Sequence, residues 1–247
     1  MGNTSAFTAR LSIDDDLKFK HPFSCIVSGP SCSGKTSFVR RFLLNFRLLC
    51  TVLIFAAGAV WCYGEKSAVP SHLPTSIRIN EGVPEDFDSA KGEPSLVILN
   101  DLLTDVYSKQ VCELFKRSSH HRNISVILST QKLFHQGRFC RDISLNAHYI
   151  VAFKNVRDKK HFTFLASQVY PEVSVGIHNA YLDATKGPYG YLLVDLTQTT
   201  NDGLRFRSHI FPDEVHPLVV YSCVGDEASE DELSHSAGAE DGRTEIA

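Results

Sequence analysis

Gly29-Pro30-Ser31-Cys32-Ser33-Gly34-Lys35-Thr36, followed by Ser37, fits the pattern G-x-x-x-x-G-K-[ST]. Two glycines at that spacing let the backbone fold tightly round a polyphosphate, so that successive N–H groups point at its negative charge. In this arrangement the lysine, here Lys35, reaches the β- and γ-phosphates of a nucleotide, and the hydroxyl of Thr36 ligates Mg2+. Context separates a nucleotide site from a chance match. The apolar run Phe23-Ser24-Cys25-Ile26-Val27 precedes the loop and a helical pattern follows it, which is the strand, loop and helix order a phosphate cradle needs. ATP and Mg2+ are the expected cofactors. A GTPase is disfavoured because no N-K-x-D base-reading motif occurs.

A second set of polar residues follows two later apolar runs. Ser95-Leu96-Val97-Ile98-Leu99 leads into Asn100-Asp101, and Ile124-Ser125-Val126-Ile127-Leu128 leads into Ser129-Thr130-Gln131. In open α/β sheets ligands collect outside the carboxyl ends of the strands. A pair of residues after one strand can there hold Mg2+ and activate the attacking water, and an amide after the next can touch both the γ-phosphate and that water. Asn100 and Asp101 are therefore the expected metal-side and water-activating pair, and Gln131 the expected sensor. A water-orienting amide favours hydrolysis over transfer to a small-molecule acceptor, so a phosphotransferase is the weaker alternative.

The elements that must hold these groups follow from the pattern of apolar runs. Strands are expected at 22–28, 59–63, 95–99, 124–128, 148–153 and 191–195, and helices at 35–46, 105–117 and 157–168. Strands alternating with helices imply an α/β fold with a mostly parallel central sheet and helices on both faces. With the loop at 29–36, the expected fold is a P-loop NTPase of the additional-strand, RecA-like type. Residues 64–94, interrupted by Pro70, Pro74, Gly82, Pro84 and Gly92, read as a connection with little periodicity.

With 247 residues and 43% hydrophobic content, one sizeable core fits and a second full domain would be cramped. Residues 1–21 read as an N-terminal arm or edge strand, 22–222 as the ATPase domain, and 223–247 as a tail. The tail from 224 holds eight acidic residues against Arg243; it cannot bury enough apolar surface to offset its ordering entropy and is expected to be disordered. The rest of the chain is left mildly basic, which permits nucleic-acid contact without demanding it. Seven cysteines scattered without a C-x-x-C pair fit a reduced compartment, nucleus or cytoplasm, and no signal peptide or myristoylation pattern opens the chain. Leu48 to Tyr63 is sixteen nearly uncharged residues, short of the roughly 20 that cross a bilayer; it reads as a buried strand preceded by an extra turn of helix.

Several clusters together resemble one family. Asn100-Asp101-Leu102-Leu103, His120-His121-Arg122-Asn123-Ile124-Ser125-Val126-Ile127, Ser129-Thr130-Gln131-Lys132-Leu133-Phe134-His135-Gln136-Gly137 and Ile143-Ser144-Leu145-Asn146-Ala147-His148-Tyr149-Ile150-Val151 resemble the DNA-packaging ATPases of Maverick/Polinton elements, adintoviruses and, more distantly, poxviruses. Trp61-Cys62-Tyr63-Gly64-Glu65 and Ile210-Phe211-Pro212-Asp213-Glu214 extend the likeness over roughly residues 22 to 215. The resemblance implies an FtsK/HerA-class translocase, a homo-oligomeric ring that drives double-stranded DNA into a capsid by hydrolysing ATP. It assigns the phosphate role to Gly29, Gly34, Lys35 and Thr36, the Mg2+ and water-activating roles to Asn100 and Asp101, and the sensor role to Gln131.

The chain departs from the family at one position. Two acidic residues are usual where Asn100-Asp101 stands, so the first carboxylate has become a neutral amide. That change weakens metal binding and keeps open a second class of function, a nucleotide-binding assembly protein with little or no hydrolysis. Ring ATPases commonly complete the site with an arginine from the next subunit; the candidates are Arg117, Arg122, Arg138 and Arg141, with Arg122 favoured for its loop before the fourth strand. The densest basic groups, Lys116-Arg117 with His120-His121-Arg122, and Arg157-Asp158-Lys159-Lys160, are the candidate DNA contacts. Zinc is not expected at the adjacent His120 and His121, because neighbouring residues point apart and no further ligands accompany them.

Overall fold

A computed structural model describes residues 5–9, 15–55, 58–66, 69–84, 92–102, 108–117, 123–133, 139–158 and 160–222, with side chains from 15 onward except at Arg117. The apolar runs become strands because each must cover two hydrophobic layers. Val97 and Leu99, Val126 and Leu128, and Ile150 and Ala152 face one layer, while Leu96 and Ile98, Ile127, and Val151 and Phe153 face the other. That alternation is the pleat of a sheet buried on both sides.

Ten strands form the sheet: β1 (Ser5–Ala9), β2 (Ser24–Ser28), β3 (Gly58–Tyr63), β4 (Ile77–Glu81), β5 (Ser95–Asn100), β6 (Ile124–Thr130), β7 (Tyr149–Phe153), β8 (Tyr191–Asp195), β9 (Phe206–Ser208) and β10 (Leu218–Ser222). Their spatial order is β1-β10-β9-β8-β7-β2-β6-β5-β3-β4. From β7 to β4 every pairing is parallel, and from β7 to β1 every pairing is antiparallel. The strand β6 lies between β2 and β5, which is the inserted strand expected from the sequence.

Among the described residues five α-helices flank the sheet: α1 (Lys35–Leu49), α2 (Lys109–Arg117), α3 (Cys140–Leu145), α4 (Lys160–Val169) and α5 (Ser174–Ala184). The helix α1 packs Phe38, Val39, Phe42 and Leu43 into one layer, and residues of α2 to α5 fill the other. Helices on both faces are thus present. Where one helix was expected between the fifth and sixth strands there are two, α4 and α5, stacked through Phe162 and Tyr181 with ring centroids 4.0 Å apart. A helix pair returns the chain to the edge it left, so β8 starts level with the end of β7 and runs antiparallel to it.

The long uncharged stretch divides as a helix end and a strand. The helix α1 continues to Leu49, Cys50 bridges to Phe19, and β3 begins at Gly58. No helix among the described residues is long and apolar enough to cross a membrane. The connection at 64–94 contains the edge strand β4, whose exposed pattern and single partner β3 left little apolar signature. The N-terminal Ser5–Ala9 forms the other edge against β10, and Phe19 is buried against Phe23, Phe42 and Tyr149. The tail at 223–247 lies outside the described residues.

Candidate nucleotide-binding site

The strand β2 is buried along its whole length and releases the chain at Ser28. The Gly29 amide then donates to the Thr130 carbonyl at 3.2 Å, tying the start of the loop to the tip of β6. A Cβ on Gly29 would stand 2.7 Å from both Phe153 Cβ and Ser33 Oγ, so only glycine fits. Gly34 has φ 106°, left-handed backbone that favours glycine. Cys32 adopts φ 61° and is exposed, consistent with a loop whose work is done by its backbone at that position.

Gly34 also opens α1, with no side-chain cap and no acidic residue in the first turn. The first N–H groups of the helix are thereby left to an anion. Lys35 is 9% exposed and donates from Nζ to the carbonyls of Gly29 at 2.7 Å and Pro30 at 2.9 Å. Burial pulls its ammonium below the ordinary lysine range, opposed by the charge of Asp101. Asp101 therefore lies within electrostatic reach of Lys35.

Register explains that proximity. Ser28 is level with Thr130, and Ser129 is level with Asn100. The tips of β2, β6 and β5 accordingly end on one edge of the sheet. Asn100 shares the parity of Leu96 and Ile98, which face α1, and it is 1% exposed. Asp101 follows with φ 51°, an uncommon conformation for a non-glycine residue, in which Asp is among the tolerated types, and its carboxylate is exposed. Gln131, just past Thr130, is exposed too; the Thr130 hydroxyl accepts from the Lys132 amide at 3.4 Å and turns the strand end.

Gly64 is a position beside the Asp101 turn that spacing did not reveal. A Cβ there would meet the Asp101 carbonyl at 2.9 Å and Leu102 Cα at 3.4 Å. The strand end of β3 can approach the turn carrying Asp101 only because Gly64 has no side chain. Its signal in the sequence was membership of the Trp61–Glu65 cluster, which carried no physical reason until β3 and β5 were seen side by side.

The remaining candidates divide. Arg122, Arg138, His120, His121, Lys159 and the Arg117 side chain lie outside the described residues. Asn123, next in sequence to Arg122, stands at the start of β6, the opposite end of the strands from the P-loop. Arg141 is exposed on α3. Lys116 is engaged by Asp142 at 2.6 Å, and Arg157 and Lys160 are exposed just beyond the end of β7, at the P-loop edge.

The residues fit a nucleoside triphosphate with Mg2+. The buried hydroxyls of Ser33 and Ser129 lack a hydrogen-bond partner among the described residues. Among the described residues no group of three or more His, Cys, Asp or Glu gathers there, and Mg2+ in nucleotide sites takes one or two protein carboxylates plus phosphates and water. Thr36, Asn100 and Asp101 are the residues that would hold it, Asn100 through a neutral amide oxygen.

The fold is that of the P-loop NTPases. The structure is similar to the genome packaging NTPase B204 of Sulfolobus turreted icosahedral virus 2 in complex with ATP-gammaS, at TM-score 0.50 and 13% identity over 76% of this chain and 96% of that one. The sulfate complex of B204 aligns at TM-score 0.49 and 13% identity over 76% and 95%. No family model matches the sequence, and no curated protein matches it.

Proposed function

We propose that this chain is a Mg2+-dependent P-loop ATPase that acts as a homo-oligomeric ring and translocates double-stranded DNA for packaging, with capsid proteins as further partners, inside the host cell. The observation that carries the ATPase reading is the level register of β2, β6 and β5, which brings the 29–36 loop with Lys35, and Asp101 and Gln131, to one sheet edge. The DNA-packaging reading is supported by the resemblance of residues 22 to 215 to packaging ATPases, and by a fold shared with B204, itself described as a genome packaging NTPase.

Each residue has a task in that reading. Backbone N–H groups of residues 29–36 and the start of α1 bind the phosphates. Lys35 exchanges the Gly29 and Pro30 carbonyls for phosphate oxygens, trading neutral acceptors for charged ones. Asp101 accepts the proton of the attacking water, and Gln131 orients that water. Mg2+, held by Thr36, Asn100 and Asp101, would offset the negative charge of the phosphates. Arg122 of a neighbouring subunit offsets the negative charge of the transition state. Arg157 and Lys160 are better placed than Lys116 to grip DNA phosphates, because Lys116 already faces Asp142.

ATP hydrolysis by the purified chain, measured with and without duplex DNA beside its mass by size exclusion, tests this. A higher rate with DNA, lost in Lys35→Ala, is the expected result; a rate indifferent to Lys35→Ala defeats it. The buried neutral Asn100 favours one second reading, a nucleotide-binding assembly protein with weak hydrolysis. Asn100→Asp distinguishes the two: parity with the natural chain means that the amide suffices, and a gain of about tenfold or more means that the missing charge limits turnover.

A further inference from the structure

Tyr189 lies in the connection between α5 and β8 and is 70% exposed. It is one of the exposed large hydrophobic residues, yet it does not stand apart from the phosphate loop. A Cβ on Gly34 would meet Tyr189 Cδ1 at 3.3 Å and Tyr189 Cβ at 3.4 Å, so the side chain leans on the backbone at the N-terminal end of α1. Because β8 runs antiparallel to β7, with Tyr191 level with Phe153, this connection emerges on the same edge as the P-loop.

Its backbone is held there. Tyr189 adopts φ 59°, a conformation that is costly for a bulky residue and persists only where the surroundings fix it. Gly190 has no room for a side chain, since a Cβ would stand 2.5 Å from the Ala184 carbonyl and 2.9 Å from Thr185 Cα. Lys154, just past β7, donates to the Lys186 carbonyl at 3.4 Å. An aromatic ring is thus presented to solvent beside Gly34 on a constrained turn.

Direction decides what the ring faces. The strand β2 has β6 and β5 on one flank and β7 and β8 on the other. Asn100, Asp101 and Gln131 all belong to the first flank, so the terminal phosphate must point that way. The nucleoside then extends across the second flank, where Tyr189 is exposed. We propose that Tyr189 is a stacking platform for the purine base of the nucleotide held by the P-loop. The proposal rests on the reading of residues 29–36 as a nucleotide site. Stacking uses the π-face shared by all bases, so Tyr189 contributes affinity for the nucleoside and none for the phosphates.

Calorimetric titration of the full chain with ATP and with inorganic tripolyphosphate tests it. Tyr189→Ala is expected to bind ATP roughly tenfold more weakly with tripolyphosphate unchanged, while Tyr189→Phe keeps both, and Lys35→Ala loses both. In Tyr189→Trp, ATP is expected to quench the new indole and tripolyphosphate is not; the native Trp61 is buried and supplies the baseline. Unchanged ATP affinity in Tyr189→Ala overturns the proposal, as does an equal loss for both ligands, which would mean that Tyr189 only shapes the loop. If the natural chain binds neither ligand, the nucleotide reading itself fails and the stacking role falls with it.

Discussion

The chemistry of the site turns on contacts too close for side chains. Gly29 yields to Phe153 and Ser33, and Gly64 yields to the carbonyl of Asp101. In Gly64→Ala the added Cβ must push the Asp101 turn away, because the atom it meets is backbone and cannot swing aside. Small displacements of a reacting group cost up to about a hundredfold, so turnover is expected to drop roughly tenfold or more while ATP affinity, held by the P-loop, stays near the natural value. Equal turnover in the two proteins would show that Asp101 is not the group that meets the attacking water. Asn100 and Asp101 also separate by burial, 1% exposure for the amide and an exposed carboxylate after it. A neutral group in the buried position avoids the desolvation that a carboxylate would meet there, and leaves Asp101 as the carboxylate of the pair.

Elements are set in register by polar clasps at their ends. His21, just before β2, bridges to the start of β6: its Nδ1 lies 2.6 Å from Ser125 Oγ and its Nε2 2.9 Å from Asn123 Oδ1. Burial pulls the imidazole below its ordinary 6.5, with the Asn123 hydrogen bonds opposing. Because the folded value is depressed, the unfolded chain takes up the proton first. Stability from this group is complete above about pH 6.5 and is lost as pH falls through the folded value. Urea unfolding between pH 7.5 and pH 5 should show a falling midpoint that is shallower in His21→Gln; matching slopes would count against the clasp. On α1, Arg41 bonds Asp213 at 2.6 Å and Glu214 at 3.2 Å, and stands over the Phe211 ring at 4.2 Å. Glu214 in turn accepts from the Phe211 amide and from Tyr191. The segment 210–214, part of the sequence likeness, therefore fastens α1 to the start of β8.

At the scale of the whole molecule, one buried ion pair joins distant parts of the chain. Arg207 and Asp195, 1% and 0% exposed, meet at 2.7 Å between β9 and the end of β8. Asp195 also accepts from Thr197 and Thr200, and Arg207 donates to the Leu17 carbonyl. Desolvation lowers the guanidinium from its ordinary value, with Asp195 opposing. Removing one partner strands a charge in the interior, so Asp195→Ala is expected to destabilise the fold by about 3–5 kcal/mol, read from chemical denaturation. A loss below about 1 kcal/mol would mean that water or Tyr149 replaces the carboxylate.

The sequence by itself determined the parts whose information is local. The glycine spacing at 29 and 34 and the lysine at 35 were readable as a motif, and the continuous apolar runs of β5, β6, β7 and β8 were readable because a strand covered on both faces needs apolar residues on both. The strand at 191–195 has the bounds its run of apolar residues indicates. Elements with one partner or weak periodicity were not readable: β4 is half-exposed at the edge, β9 has three residues, and α3 has six. Tertiary structure decided the antiparallel turn of β8, the approach of Gly64 to Asp101 and the position of Tyr189 against Gly34. These are distances between residues far apart in the chain, set by strand order and register, and no local pattern encodes them.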